Sequence, residues 1–312
     1  MSLRTEIFVL NYNGRELLLE CLPSIIEAAG NSPTPCPVTV IDNSSTDDST
    51  NILKHRFPNV RVLSMPNCVL CSFNDAVGNS VADVVFLLNN DLKADKDFIA
   101  PLLKVFEEKE DAFLVGPQVF TFDGKQYEGS LSKMWFRFGL FGAKTRFNGH
   151  ENKIQNPGMT MQAGFGAYKR NVFLKLGGFD DLYLPGTVED SDICFRAWKA
   201  GYKVYYEPKS RMYHKGQATF KKTFGRSRLL AINQRNLYLF VWKNISDPVL
   251  WFWHLAWLLP RPLIFLLKGR VEFLWGFLWA FGRLPAAVQR RVALKTRIKR
   301  SDRDIFKISK GM

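Results

Sequence analysis

Three places in the sequence carry side chains able to do chemistry. The first is Asn89-Asn90-Asp91, which follows abruptly on five apolar residues, Val84 to Leu88. An apolar run of that length bounded by polar residues fits a buried strand. In open α/β sheets ligands sit outside the carboxyl ends of such strands, and a carboxylate there can take a divalent cation, Mg2+ or Mn2+, that in turn holds phosphates. The second is Glu189-Asp190, just ahead of a helical stretch from Ser191 to Ala200. The helix dipole favours an ionised carboxylate at that end, which suits a general base that takes a proton from a hydroxyl. The third is His214, behind the strand-like Arg211 to Tyr213, able to ligate a metal or contact a phosphate. Each also has a plain structural use. Asn-Asn-Asp is ordinary turn chemistry, Asp190 suits an N-cap, and His214 suits a surface position. Their occurrence together, in this order, is what points to a site.

These residues need elements to position them. Ile7 to Leu10 reads as a first strand, turned by Asn11-Tyr12-Asn13-Gly14 into a helix from Arg15 to Ala29 with Leu18, Leu22, Ile25 and Ile26 on one face. After a proline-rich loop, Val38 to Ile41 forms a second strand ending in Asp42, followed by a polar turn and a helix through Arg56. Val60 to Leu63, a short helix from Asn74 to Ala82, the strand Val84 to Leu88, a helix from Asp97 to Glu108 and a strand from Phe113 to Val119 continue the alternation. This predicts an α/β fold with a mostly parallel central sheet flanked by helices. From Thr121 to Gly158 no period is sustained, which predicts a functional loop or lid. Order returns at Gln162 to Tyr168, a helix from Asn171 to Leu176, the turn Gly177-Gly178-Phe179-Asp180, a helix from Asp190 to Ala200 closed by Gly201, and a strand from Tyr202 to Tyr206.

In combination these segments resemble a family-2 glycosyltransferase of the GT-A fold, near the rhamnosyltransferase-like members of bacterial polysaccharide assembly. The resemblance runs from Ile7 to about Lys215 and rests on Leu10 to Gly14, on Ile41-Asp42-Asn43-Ser44-Ser45-Thr46-Asp47, on Leu88-Asn89-Asn90-Asp91, and on Gly177-Gly178-Phe179-Asp180 followed by Val188-Glu189-Asp190-Ser191-Asp192. It implies a nucleoside-diphosphate sugar donor bound by Asn11, Asp42, Asn74 and Asn90, and a divalent cation on Asp91 with His214. It further implies an acceptor saccharide near Glu189 and Trp198, and Asp190 as the base of an inverting, single-displacement transfer. Two departures stand out. The segment Asn67 to Asn74 lacks the family's glycines, and Asn89 replaces the first acid of Asp-x-Asp, leaving one carboxylate for the metal. A non-catalytic sugar-nucleotide-binding or scaffold protein is the alternative that the missing glycines favour. A nucleotidyltransferase is disfavoured, because no glycine-rich phosphate loop with a basic residue opens the chain.

The chain has 312 residues and a net charge of +14. Ten Lys or Arg against two Asp lie between Arg283 and Met312, so the charge is concentrated there. Before it, Pro248 to Pro260 and Phe273 to Phe281 carry no formal charge and hold five tryptophans, Trp251, Trp253, Trp257, Trp275 and Trp279. Neither run reaches the roughly 20 residues of a spanning helix. Tryptophan and basic residues at short intervals favour the headgroup level. The expectation is two in-plane amphipathic helices and a polybasic tail on an anionic membrane surface, at the cytoplasmic face, extending a lipid-linked saccharide. A buried or re-entrant hairpin is the competing expectation, and nucleic acid is not an expected partner. The five cysteines form no framework and fit reduced thiols, and Arg4 and Glu6 before a short apolar run do not read as a signal peptide. The implied division is 1–240 as the transferase domain, with 1–120 for the nucleotide sugar and 121–240 for the acceptor, and 241–312 as the membrane-associating part.

Overall fold

A computed structural model describes residues 3–216, 224–294 and 298–312. In chain order the strands are β1 (Thr5–Asn11), β2 (Val38–Asp42), β3 (Arg61–Ser64), β4 (Val84–Asn89), β5 (Leu92–Ala94), β6 (Ala112–Thr121), β7 (Tyr127–Gly129), β8 (Lys133–Arg137), β9 (Leu140–Lys144), β10 (Gly158–Met159), β11 (Gly166–Lys169) and β12 (Lys203–His214). The helices are α1 (Arg15–Gly30), α2 (Ser49–Arg56), α3 (Ser72–Asn79), α4 (Ile99–Glu108), α5 (Arg170–Leu176), α6 (Glu189–Lys199), α7 (Arg226–Asn244), α8 (Pro248–Leu258), α9 (Pro260–Leu267), α10 (Val271–Phe281), α11 (Leu284–Leu294) and α12 (Asp302–Gly311). The chain divides into two compact units. One comprises Met1–Ser132, Thr145–Phe179 and Lys203–Gly216, and the other Lys133–Lys144, Asp180–Tyr202 and Gln217–Met312.

The first unit is built on one sheet of order β10-β12-β6-β11-β4-β1-β2-β3, with β5 on β12 and β7 on β6. It is parallel through β4, β1, β2 and β3, and β11 enters antiparallel between β4 and β6, so the sheet is mixed. Strands β1, β2 and β4 are apolar on both faces and buried on both, as expected of strands covered by helices. Ile7, Val9, Val40, Phe86 and Leu88 share a core with Leu18, Leu22 and Ile25 of α1 and Leu102 and Phe106 of α4. Each such side chain contributes about 2 kcal/mol by leaving water. The register sets the site. Leu10 lies opposite Asn89 and Asn11 opposite Asp42, so the polar ends of three strands finish side by side.

The stretch expected to be an unstructured lid, Thr121 to Gly158, instead carries β7 and the hairpin β8–β9, with β10 beginning at Gly158. The signal was hidden because these strands are five residues or shorter, too short to sustain a period. Arg211 to Tyr213 is likewise not a separate segment but the end of β12, which runs unbroken past Pro208 with a register shift opposite β6.

In the second unit the β8–β9 hairpin packs on helices. Phe141 stacks on Phe240 of α7 at 3.9 Å between centroids, and Ser309 of α12 donates to the Met134 carbonyl at 2.7 Å while accepting from its N–H at 2.8 Å. Two expectations for the C-terminal part are corrected. First, α8 and α9 follow one another as a single apolar stretch, Pro248–Leu267, of 20 residues, long and apolar enough to cross a membrane and mostly exposed. Arg261 and Pro262 do not end it, because Pro260 and Pro262 lie in the first turn of α9, where no N–H partner is lost. Second, the basic segment is not a free tail. It forms α11 and α12, with residues 295–297 outside the described part. Arg283 donates to the Leu182 carbonyl at 2.7 Å. Arg290 pairs with Asp180 at 2.7 Å, Arg300 donates to the Tyr202 carbonyl at 3.0 Å, and Arg303 pairs with Asp247 at 2.6 Å. The charges of Arg290 and Arg303 are thus paired within the fold instead of being free for lipid headgroups.

Candidate functional site

At the carboxyl ends of β1, β2 and β4 the polar side chains form one network. Asn11 Nδ2 donates to Asp42 Oδ1 at 2.9 Å, and Asn90 Nδ2 donates to Asn11 Oδ1 at 2.7 Å. Asp42 also accepts from the Ser45 hydroxyl at 2.6 Å and the Ser45 N–H at 3.0 Å, closing the turn after β2 as an Asx motif. The network leaves no room at Gly14, where a Cβ would lie 2.0 Å from Asn90 Nδ2. Three of the four expected donor residues, Asn11, Asp42 and Asn90, are therefore brought together. Asp42 is buried, with both oxygens engaged in shaping the turn. The fourth, Asn74, has a different task from the one expected. Its Nδ2 donates to the Phe179 carbonyl and its Oδ1 accepts from the Phe179 N–H, both at 2.8 Å, so it clamps the Gly177-Gly178-Phe179 turn. Gly178 is required there, at φ +66° and with Asn74 Oδ1 2.2 Å from a Cβ. In the glycine-poor segment before Asn74, Val69 itself adopts φ +51°, the left-handed conformation that a glycine would take without strain.

Asp91 follows β4, and His214 ends β12 opposite Leu92. His214 Nε2 lies 3.4 Å from Asp91 Oδ2 and Nδ1 lies 3.0 Å from Glu128 Oε2. Burial works against a charge on His214, but Asp91 and then Glu128 outweigh it and raise the imidazole above its ordinary value. The other Asp91 oxygen, Oδ1, is enclosed and has no hydrogen-bond partner among the described residues. A buried carboxylate oxygen without a partner is costly unless something completes it. Among the described residues no group of three or more His, Cys, Asp or Glu is poised to hold a metal ion. Asp91 and His214 offer two donors, which fits a cation that draws its remaining ligands from substrate phosphates and water.

In the second unit, Glu189 and Asp190 open α6. Glu189 Oε2 and Asp190 Oδ1 are both enclosed and without a hydrogen-bond partner among the described residues. Burial, and then the charge of Glu189, push Asp190 well above the ordinary carboxylate range. Burial pushes Glu189 up to about 7. The expectation that the helix end keeps Asp190 readily ionised is thus corrected. Lost hydration and a like charge outweigh a helix dipole worth about 1 kcal/mol. The backbone leading in is strained, with Thr187 at φ +69° and Val188 at φ +73°, a conformation that a β-branched residue adopts only where its surroundings enforce it.

What enforces it comes from α7, whose role the sequence did not disclose. Asn236 Nδ2 lies 2.8, 2.7 and 2.9 Å from the carbonyls of Tyr183, Gly186 and Thr187, and Arg235 donates to the Leu184 carbonyl at 2.6 Å. Two residues after Asp190, Asp192 is fully buried. It accepts from Tyr183 Oη at 2.8 Å, Arg196 Nε at 2.7 Å, Lys243 Nζ at 2.8 Å and Asn244 Nδ2 at 2.8 Å. Burial alone would raise Asp192, but Arg196 and Lys243 overcome it and hold the carboxyl well below its usual range. Neighbouring acids thus have opposite environments: Asp192 is compensated on every side, whereas Asp190 is not. Trp198, expected to stack on an acceptor sugar, is instead fully buried in α6, with the Arg300 guanidinium 5.5 Å over its ring. Its face is covered, and it is a core residue.

The model of glycosyl transferase family 2 matches residues 6–177, more than half of the chain. The chain belongs to glycosyl transferase family 2. This family-2 chain is 28% identical over 198 residues to the O-antigen chain rhamnosyltransferase WbaN of Salmonella anatum, a match covering 62% of this chain and 60% of that relative. It is 24% identical over 235 residues to the N-acetylglucosaminyl-diphospho-decaprenol L-rhamnosyltransferase of Mycobacterium tuberculosis, covering 66% of this chain and 75% of the relative. In fold it resembles GalNAc-T7, solved with UDP, GalNAc and Mn2+, with a TM-score of 0.61 at 16% identity over 91% of this chain and 57% of that one. The family-2 chain therefore has a GT-A-like α/β fold. Functional residues that the motifs of the family-2 chain do not disclose are Glu128, between β6 and β8, and Asn236, Lys243 and Asn244, in α7. Arg235-Asn236 and Lys243-Asn244, polar pairs set among apolar residues, were the available signal.

Proposed function

We propose that this chain is a membrane-associated, inverting glycosyltransferase that moves a sugar from a nucleoside-diphosphate donor to a hydroxyl of a saccharide acceptor, carried on a lipid, in cell-surface polysaccharide synthesis. The observation that carries the reading is that Asp91 and Asp190 each keep one enclosed carboxylate oxygen with no hydrogen-bond partner among the described residues, whereas both oxygens of Asp42 and both of Asp192 accept hydrogen bonds. In this reading Asn11, Asp42 and Asn90 shape the donor pocket, and Asn74 supports it through the Phe179 turn. Asp91 with His214 would hold a divalent cation, which when bound neutralises charge on the leaving diphosphate. Asp190 accepts the proton of the attacking acceptor hydroxyl, and Glu189 holds Asp190's basicity high and lines the acceptor side. One base suffices because an inverting transfer forms no covalent intermediate. The relatives named as rhamnosyltransferases, one acting on a diphospho-decaprenol, support a deoxyhexose donor and a polyprenol-linked acceptor. GalNAc-T7, solved with UDP and Mn2+, supports the cation.

The test is a panel of nucleotide sugars, thymidine-diphospho-rhamnose and uridine-diphosphate hexoses first, with polyprenol-diphosphate saccharides as acceptors. Transfer is expected to need Mg2+ or Mn2+, to stop on chelation with EDTA and to return on readdition. Asp91→Asn should lose the metal response. Full transfer in EDTA would remove the cation from this reading.

Apolar surface, more than a basic tail, supports membrane association. Phe252, Trp253, Leu255, Leu259, Leu263 and Leu267 are exposed along Pro248–Leu267, a larger apolar stretch than a protein normally leaves to water. We propose that it seats the enzyme at the cytoplasmic face of the membrane. Replacing Phe252, Leu255, Leu259 and Leu263 by serine should release the protein from pelleted anionic vesicles and raise its solubility without detergent. Unchanged pelleting would refute the seat.

A further inference from the structure

Close to Asp91, the sheet holds a carboxylate whose hydrogen bond among the described residues is to His214. Glu128 lies in β7, a three-residue strand whose pairing with β6 is irregular. Val119 faces Gly129 and Phe120 faces Tyr127, so Glu128 is the extra residue of a bulge. A bulge leaves one residue unpaired and re-aims its side chain. This one delivers Glu128 Oε2 to 3.0 Å from His214 Nδ1. The neighbouring chain is held by backbone pairing on both sides. His214 pairs with Thr121 of β6 on one side and Leu92 of β5 on the other, the Lys215 N–H donates to the Asp91 carbonyl at 3.0 Å, and Phe165 lies against the imidazole at 5.1 Å between centroids. The backbone places the ring, but rotation about its own axis remains to be set, and the two ring nitrogens are chemically distinct.

We propose that Glu128 is a positioning residue. By accepting the Nδ1–H of His214, it fixes the ring so that Nε2 is presented toward Asp91 and toward the divalent cation that Asp91 is proposed to hold. The inference rests on that reading of Asp91. A ligand histidine typically donates its second ring N–H to a carboxylate, and loss of the outer partner weakens metal affinity about ten- to a hundredfold. The bulge supplies such a partner from a strand that contributes nothing else to the site.

The experiment is Mn2+ titration of the full chain, followed by electron paramagnetic resonance of free Mn2+, with and without UDP or thymidine diphosphate as probe. Glu128→Ala is expected to weaken Mn2+ binding about ten- to a hundredfold. Glu128→Gln, whose amide oxygen still accepts from Nδ1–H, should keep most of the affinity. Glu128→Leu, which preserves the bulk of the side chain, should repeat the loss of the alanine variant if that variant folds poorly. In a His214→Ala background Glu128→Ala should add no further loss, because residues acting as a unit are non-additive. Wild-type Mn2+ affinity in both Glu128→Ala and Glu128→Leu, with Asp91→Asn deficient, would overturn the positioning role and leave the cation reading standing. So would a glutamine variant as weak as the alanine one. Wild-type affinity in Asp91→Asn would instead remove the cation reading and this inference with it.

Discussion

Asp190→Asn will reduce sugar transfer by about a thousandfold, the scale of a lost general base, and will at the same time make the protein more stable near neutral pH. Both results follow from one fact: burial first, and Glu189 second, raise Asp190 well above its ordinary value of 3.8. A group that resists ionisation in the folded state is protonated alike in both states at low pH. It then opposes folding increasingly as the pH rises from its unfolded value to its folded one. The neutral asparagine removes that opposition. Melting temperatures of variant and wild type should therefore agree near pH 4 and separate in favour of the variant as the pH rises. The rate profile has the matching sign. Only the ionised base accepts a proton, so kcat/KM should fall as the pH drops through the raised value, placing the acid limb well above the ordinary carboxylate range. Glu189→Gln removes the second of the two causes and should move that limb to lower pH without restoring an ordinary value, because burial remains. An asparagine variant that melts lower than wild type at every pH, or that turns over normally, would show that Asp190 is a structural cap.

Lys243→Met will destabilise the chain by about 3–5 kcal/mol, the cost of removing one partner from a buried ion pair. Lys243 is almost fully buried and is shared between Asp192 at 2.8 Å and Asp180 at 2.7 Å. Its loss leaves Asp192 in the interior with Arg196 as its nearest remaining cation. The sign with pH is opposite to that of Asp190. Asp192 is held below its ordinary value, so its stabilisation is complete above that value and fades as the pH falls toward the depressed one. The penalty of Lys243→Met should accordingly shrink in acid, and Asp192→Asn should recover part of it at neutral pH. Denaturant midpoints across pH measure both. A penalty within about 0.5 kcal/mol, the range of an ordinary surface change, would mean that the network is not what holds Asp180 to Asp192 in place.

The two results bear on one design. Helix α7 supplies Arg235, Asn236, Lys243 and Asn244 to hold the segment that ends in the strained Thr187 and Val188. That support permits Glu189 and Asp190 to remain uncompensated at the start of α6. An acid with a raised pKa is a stronger base once ionised, and it persists only where neighbouring structure absorbs its cost.

Much of the fold was legible in the residues themselves. Apolar runs such as Val84 to Leu88 are buried strands whatever lies around them, because five consecutive apolar side chains have no other stable place. The residue that ends such a strand is carried to the sheet edge by chain geometry alone. Asn11, Asp42, Asn90 and Asp91 could therefore be placed from sequence. The β8–β9 hairpin could not, since its residues are apolar enough only in the company of Phe195 and Phe240. The role of the basic C-terminal segment is not legible in the sequence for a related reason. Sequence counts charge, whereas the distance from Arg290 to Asp180, 110 residues away, is a tertiary quantity.

By itself, then, the sequence determined the α/β sheet and the order of the acidic motifs, because these depend on local pattern and strand geometry. Only the tertiary structure decided which acids are compensated. It gave Asp192 a lysine and an arginine and left Asp190 with a like-charged neighbour. It buried Trp198 beneath Arg300, used both ends of Asn74 on the Phe179 turn, and brought Glu128 to His214 across a bulge. Ionisation energies and side-chain roles are set by what surrounds a group within a few ångströms, and in a folded chain those surroundings come from residues remote in sequence.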